Sequence, residues 1–438
     1  MFIDGQQLQS VIRMLLDLNV YQEFETCFLE ETRQFYATEG NSLMQSMEMG
    51  EYLNHVSTRV HQESTVRVKR YFDKSTKAPL QAIVEEELLT KRVTQVLDKC
   101  FSYFHENYLV DELSLLYRLL KKVGQLDICA KYFTNYVKTK GSAILCDTLP
   151  LSEKMNTLST FKKKNEYIVD HSFEGDEQFL DGLKDGTEYF INLRENNTIR
   201  LLARHADTVV KSEKMDERQV DQCMFLFHHL QAKDEFEVIF KRDLAKRLLL
   251  DTAHRNHERI LLAKIKKESG VAFTSKLEGM LRDIKQSSEL MQEFNDLSGQ
   301  FYVNVLTHGF WPAYAPVQVS LPAALQELQD LYTVLYTQKY PRRQLTWQNS
   351  LGVCDVYANY PRGAKNITLT LLQAIVLLLF NHDTSLPFTS ILQATRFDQV
   401  ELIRTLQSLT SKEYKLLKKD PEGPIQPTDF FSYNPGFW

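Results

Sequence analysis

The sequence predicts a mainly α-helical protein: a helical solenoid, then a helical bundle, then a C-terminal α+β region of winged-helix-like order. Three observations carry this expectation. Apolar residues recur at three- and four-residue spacing through most of residues 1–294, the period of a helix with one buried face. Glycine and proline are scarce, 16 and 12 in 438 residues, which disfavours turn-rich sandwiches and barrels. Near Asn295 the texture changes to alternation interrupted by proline, the mark of short strands and turns.

The solenoid is assigned to 1–155. Leu8, Val11, Ile12, Leu15 and Leu18 form one apolar stripe, and Phe24, Cys27, Phe28 and Phe35 form the next. Gly40 is read as the C-terminal cap of that second helix. Tyr52, Val56 and Val60 continue the pattern, which resumes over 79–104 and 111–140. The acidic triplet Glu85, Glu86 and Glu87 is expected at a helix start, where the macrodipole favours negative charge. Connections are short and there is no strict sequence repeat, so stacked helix pairs rest on periodicity alone.

The bundle is assigned to 156–294. Its weakest stretch, 192–200, is expected to be an exposed loop. Ser275 followed by Glu278 has capping-box spacing. In the last region, 295–438, Phe301, Val303 and Val305 alternate as on a half-buried strand before Pro312 and Pro316 break the run. Pro322 suits the first turn of a helix reaching Lys339. The stretches 345–360 and 366–371 read as strands around the turn "PRGAKN", and 369–380 as a buried core helix. Two short helices (385–397 and 398–410) and a strand from Lys415 follow, giving the winged-helix-like order.

Composition narrows the function classes. Apolar residues make up 43% and charged residues 25%, as in a globular chain with sizeable cores. No stretch approaches the roughly 18 apolar residues of a membrane span, and Asp4, Glu23 and Glu25 fall where a leader's apolar segment would lie. Six scattered cysteines, none spaced C-x-x-C, fit a reducing compartment, the cytosol or nucleus. No phosphate-binding, dinucleotide, nucleophile-elbow or zinc-protease motif occurs, so no catalytic residue is assigned. His254 and His257 lack a third ligand nearby, and the adjacent His228 and His229 point to different helix faces. No metal site and no cofactor are expected.

The distinctive feature is basic. Between Lys241 and Lys267 lie nine Lys or Arg against three acids, inside a chain of net charge -5. Phe236, Phe240, Leu244 and Leu248 make an i, i+4 stripe; Arg247 lies close to it and is expected to snorkel to water. A solvated helix face is the plain reading of such a run; nucleic acid or an acidic protein partner are the alternatives. The second helix of the winged-helix-like unit opens with Asp398 and Glu401, the wrong sign for phosphates, and no aromatic–basic interleaving of a single-strand binder is present. No direct nucleic-acid contact is expected, and an acidic protein partner fits better.

"FEVIFKRDLAKRLLL" followed by "ERILLAKIKKESGVAFTSKLEGMLRDIKQSSELM" resembles the signature of the cullin homology domain. That signature joins an F-x-x-x-Y/F-K/R-x-x-L-A-x-R-L-L helix, through a C-G-type turn, to F-T-S-K-L-E-G-M. Ser269–Gly270 stands at the turn, a small departure. "LTHGFWPAYAP" resembles the family's T-x-G-x-W-P segment and "RRQLTWQNSLG" its R-x-L-x-W segment. "FLEETRQFYATEG", "EYLNHVSTRV" and "TKGSAIL" are most similar to the fourth cullin class.

The resemblance implies cullin repeats followed by a globular region, and the role of a non-catalytic scaffold in RING ubiquitin ligases, at work in nucleus and cytoplasm. It implies a RING-box-type RING protein as partner, held by β-augmentation, and a ubiquitin-conjugating enzyme reached through that RING protein. Val303, Val305, Leu345 and Trp347 match the sheet that takes the RING protein's strand, with Trp311 beneath. Lys241, Lys246, Lys264, Lys266 and Lys267 match the basic surface that attracts the conjugating enzyme. In the family a first repeat, ahead of the stretch that Met1 matches, binds the adaptor, a β-propeller protein in the fourth class, which counts against adaptor binding by this chain. The modifier-acceptor lysine, in an I-V-R-I-M-K type motif, has no counterpart here. The second reading is a non-productive cullin-like protein that sequesters the RING partner; an enzyme in its own right is disfavoured by the lack of a catalytic constellation.

Overall fold

The computed structural model describes residues 5–294, 301–361, 363–411 and 415–437. They form two compact units, Met1–Asp243 with Ala253–Gly270, and Leu244–Thr252 with Val271–Trp438.

The first unit is helical: α1 (Gly5–Asp17), α2 (Tyr21–Ser46), α3 (Met49–His61), α4 (Val68–Tyr71), α5 (Lys77–Leu88), α6 (Val93–Glu106), α7 (Val110–Lys122), α8 (Leu126–Cys146), α9 (Leu151–Ser172), α10 (Glu177–Asn192), α11 (Glu195–Lys211) and α12 (Glu217–His229). Helices α13 (Lys233–Leu249) and α14 (Arg255–Glu293) follow, and the first part of each belongs to this unit. A π-helical stretch, Gln62–Arg67, joins α3 to α4. There the buried Glu63 accepts from the Tyr36 hydroxyl at 2.6 Å and pairs with Arg67 at 2.8 Å. A core of fully buried rings lies between α6 and α10. Phe133, Phe173 and Phe179 sit within 6 Å of one another, with Tyr117 and His105 against them.

Four local expectations fail here for physical reasons. Gly40 does not end a helix; it lies inside α2, where a Cβ would sit 2.8 Å from the Arg92 guanidinium. The residue is glycine because Arg92 crosses there, donating to the Ala37 carbonyl and to Asn41. Glu85, Glu86 and Glu87 occupy the end of α5, not a start. Arg33 and Lys91 both pair with Glu86 and Glu87 and offset the unfavourable dipole. The stretch 192–200 is largely helical, because α11 begins at Glu195 and buries Thr198, Ile199 and Leu202. Arg247 is buried, not snorkelled.

Gly270, at φ 84° and ψ 175°, breaks α14 into two arms. The second unit takes the arm 271–293, then α15 (Ala323–Lys339), the antiparallel hairpin β1 (Val353–Tyr360) and β2 (Gly363–Thr370), and α16 (Leu371–Leu379). Thr370 and Gln373 form a reciprocal capping box at the start of α16, whose Leu371, Leu372, Ile375 and Val376 are buried as the core-helix reading required. β3 (Ser385–Pro387), α17 (Phe388–Thr395), α18 (Gln399–Leu409), β4 (Leu417–Asp420) and β5 (Phe430–Tyr433) complete the unit. Their sheet is antiparallel in the order β3-β5-β4. Helix, strand, two helices and two strands around one apolar cluster make a winged-helix arrangement, so the expected order is present with two further strands, β3 and β5. The texture change at Asn295 falls in 295–300, outside the described residues.

Candidate partner-binding site

The segment 301–307 shows the expected alternation, since Val303 is buried while Tyr302 is 56% exposed, yet it pairs with no strand among the described residues. Side chains of the second arm of α14 take the place of a sheet neighbour. The Val303 amide donates to Met291 Sδ at 3.4 Å, that of Val305 to Ser287 Oγ at 2.8 Å, and that of Thr307 to Asp283 Oδ2 at 2.7 Å. Four helical residues rise about 6 Å and two extended residues about 6.6 Å, so positions 291, 287 and 283 stay in step with 303, 305 and 307. The strand expected at Phe301, Val303 and Val305 is thus corrected to an extended segment laddered on a helix.

Asp283, 5% exposed, also accepts from Thr307 Oγ1 at 2.9 Å and from Trp311 Nε1 at 2.8 Å. Beside it, a Cβ on Gly279 would meet the Phe310 ring at 2.5 Å. The two motifs "FTSKLEGM" and "THGFWP" therefore lock together, glycine against ring and carboxylate against indole. Ser275 caps nothing: its hydroxyl donates back to the Ala272 carbonyl at 3.1 Å, and Thr274, not Ser275, donates to Glu278. The helix restarts straight after Gly270, so Ser275 already lies past the first turn.

A second extended stretch, 344–347, has alternating exposure and likewise belongs to no strand; β1 begins only at Val353. Leu345 and Trp347 pack with Phe301, Val303 and Val305 against one cluster built on Leu290, Tyr332 and Tyr336. Phe301 and Trp347 lie 6.4 Å apart, and Trp347 Nε1 donates to Thr333 Oγ1 at 3.1 Å. Four of the five expected positions thus converge. Trp311, 6% exposed, lies outside that cluster and is fixed by Asp283. Sequence reasoning missed Asp283, Ser287 and Met291; their spacing of four was visible, but nothing local tied them to residues 24, 18 and 12 positions on.

The amides of Tyr302, Asn304 and Leu306, which alternate with the three anchored ones, have no hydrogen-bond partner among the described residues. Residues 301–307 therefore present one satisfied edge and one open edge.

The basic residues fare unequally. Phe236, Phe240, Leu244 and Leu248 are all buried, as the stripe requires. Lys246 and Lys267 are exposed. Lys264 is tied to Asp221 at 2.8 Å, and Lys241 and Lys266 both interact with neighbours. His228 and His229 diverge as expected: His228 pairs with Glu268 at 2.6 Å while His229 is half-buried. Among the described residues no group of three His, Cys, Asp or Glu could hold a metal, and no helix is long and apolar enough to cross a membrane.

Residues 1–291 match the cullin alpha solenoid domain, and residues 305–437 the cullin alpha+beta domain. The chain belongs to the cullin family. It is 38% identical to mouse Cullin-4A over 99% of its own length and 60% of that protein's. It is 34% identical to Cullin-4 of Dictyostelium discoideum, over 95% of this chain and 54% of the other. Cullin-3A of Arabidopsis thaliana is 32% identical, over 99% and 63%. The likeness to the fourth cullin class read from the sequence agrees with these figures. This cullin chain spans about three fifths of the length of the curated relatives it matches.

Proposed function

We propose that this chain is a scaffold subunit of a RING ubiquitin ligase, holding a RING-box-type protein on the segments 301–307 and 344–347. The supporting observation is a pair of extended stretches over one apolar cluster, with alternate amides of the first unpaired. A strand from a second protein would satisfy those amides and add its own apolar side chains to the cluster, the usual arrangement of β-augmentation. Tyr302, Asn304 and Leu306 then serve through their open amides, Val303 and Val305 by tying the segment to α14 and to the cluster, Leu345 and Trp347 through methyls and ring, and Trp311 by keeping the first segment in place. The conjugating enzyme comes with the RING protein, drawn by long-range charge toward the basic stretch, in which Lys246 and Lys267 are the exposed members. The chain supplies no reacting group; it raises the effective concentration of substrate near the loaded enzyme. Six cysteines, all free, suit work in the nucleus and cytoplasm.

The test is co-elution with a purified RING-box protein. Asn304→Pro deletes one open amide and should abolish co-elution, whereas Asn304→Ala keeps that amide and should leave it intact. Unchanged co-elution of the proline variant, with tryptophan fluorescence as in the parent, defeats this reading. Co-elution without ubiquitin transfer to a bound substrate selects the sequestering alternative.

A further inference from the structure

In the first unit α9, α10 and α12 line a small, half-open pocket that the scaffold reading does not use. Its lining joins the apolar Phe161, Leu180, Leu183, Phe190 and Phe225 to Lys162, Lys184, His229, Thr187 and the carboxylate of Glu166, and its volume is about 160 Å³. A closed apolar cavity of about 150 Å³ holds one benzene ring, so this half-open pocket has room for a side chain of that size. The pocket is shaped by packing: Phe190 enters where Gly141 leaves room, since a Cβ there would lie 2.2 Å from the ring, and stands edge-on to Phe161 at 6.4 Å. Leu180 at the margin is 45% exposed.

Three polar features point to what would occupy it. Lys162 lies over the Phe225 ring at 4.9 Å, with Glu166 a loose 3.6 Å away, and Lys184 stands exposed on the next helix. His229 Nδ1 is buried and has no hydrogen-bond partner. Burial, then the neighbouring His228, Lys162 and Lys184, hold its imidazole at about 4, so it is neutral near pH 7. An apolar lining for one ring, two lysine amines against the single carboxylate of Glu166, and an open imidazole nitrogen together fit an apolar side chain flanked by acidic residues.

We propose that this pocket is a docking site for an acidic peptide segment of a partner protein, taking one phenylalanine-sized side chain into the cavity while its carboxylates meet Lys162 and Lys184. Burying a phenylalanine contributes about 1.5–3 kcal/mol, roughly ten-fold or more in affinity. The inference is independent of the RING-protein reading, because none of these residues lies in the second unit.

The experiment titrates the full chain, labelled at leucine methyl groups, with three capped pentapeptides to about 5 mM, the range of weak peptide contacts. The probes are Glu-Glu-Phe-Glu-Glu, the same peptide with alanine at the centre, and Lys-Lys-Phe-Lys-Lys. The expected result is saturable shifts of the Leu180 and Leu183 methyls with the first peptide. Binding should be at least roughly ten-fold weaker with the alanine peptide and absent with the lysine peptide. Lys162→Glu with Lys184→Glu, two surface changes that leave the apolar lining intact, should abolish it. No saturable shift, equal binding of the alanine or lysine peptide, or unchanged binding by the doubly reversed protein overturns the proposal.

Discussion

Asp283 fixes a motif that it cannot be seen to touch in the sequence. One carboxylate collects the Thr307 amide, the Thr307 hydroxyl and the Trp311 indole; Thr307 is exposed, but the carboxylate and the indole are buried, so an abandoned indole donor would carry the main desolvation cost. Asp283→Ala is expected to cost roughly 3 kcal/mol in that unit, measured by urea unfolding followed through tryptophan emission. A second residue gives a pH effect. Both ring nitrogens of His105 are buried and unpartnered among aromatic rings, and burial, reinforced by Lys164, lowers its imidazole to about 3. The unfolded chain, with His105 near its ordinary 6.5, binds the extra proton first. The folded state therefore holds its full stability above about pH 6.5 and loses it as pH falls toward 3, by up to about 1.4 kcal/mol per unit. His105→Phe should flatten this acid limb of the melting-temperature profile without changing the neutral end by a comparable amount.

At the scale of elements, the period of apolar residues was the dependable signal and single polar cues were not. The helices of residues 1–294, the core helix α16 and the winged-helix order were legible because each buries one long face. Gly40, Glu85 to Glu87 and Ser275 were misread because their roles depend on Arg92, on Arg33 with Lys91, and on the break at Gly270, none of which is adjacent in sequence. The alternation at 301–305 was read as a strand and proved an extended segment laddered on a helix, because alternation reports which side chains are buried, not what the amides bond to. Glycine packing gives the prediction that belongs here. Helices α8 and α10 cross at Gly182 and Gly186, where Cβ atoms would lie 2.5 Å from Thr134 Oγ1 and 2.7 Å from Val137 Cγ1. Gly186→Ala would gain about 1 kcal/mol of helix propensity, yet a methyl at that distance forces the helices apart at about 1–3 kcal/mol. A net loss is expected for alanine and a larger one for Gly186→Leu, read as lowered urea midpoints.

Across the whole molecule, charge is distributed against the net sign: an acidic chain concentrates cations in one stretch of twenty-seven residues, 241–267. Attraction of this kind acts on encounter rate and is screened at distances beyond about 8 Å in physiological salt. On the proposed scaffold role, Lys246→Glu with Lys267→Glu should slow ubiquitin transfer severalfold at low ionic strength, with the difference shrinking as salt is added. Initial rates across a salt series check this; a deficit that persists at high salt would instead mean a lost contact.

The half-finished edge at 301–307 also bears on how the chain can be made. Unpaired backbone donors beside greasy rings are adhesive toward any extended polypeptide, including another copy of the same segment. Produced without company, the chain should clump and be cleared, so its abundance in a cell would be capped by the supply of whichever protein covers that edge first.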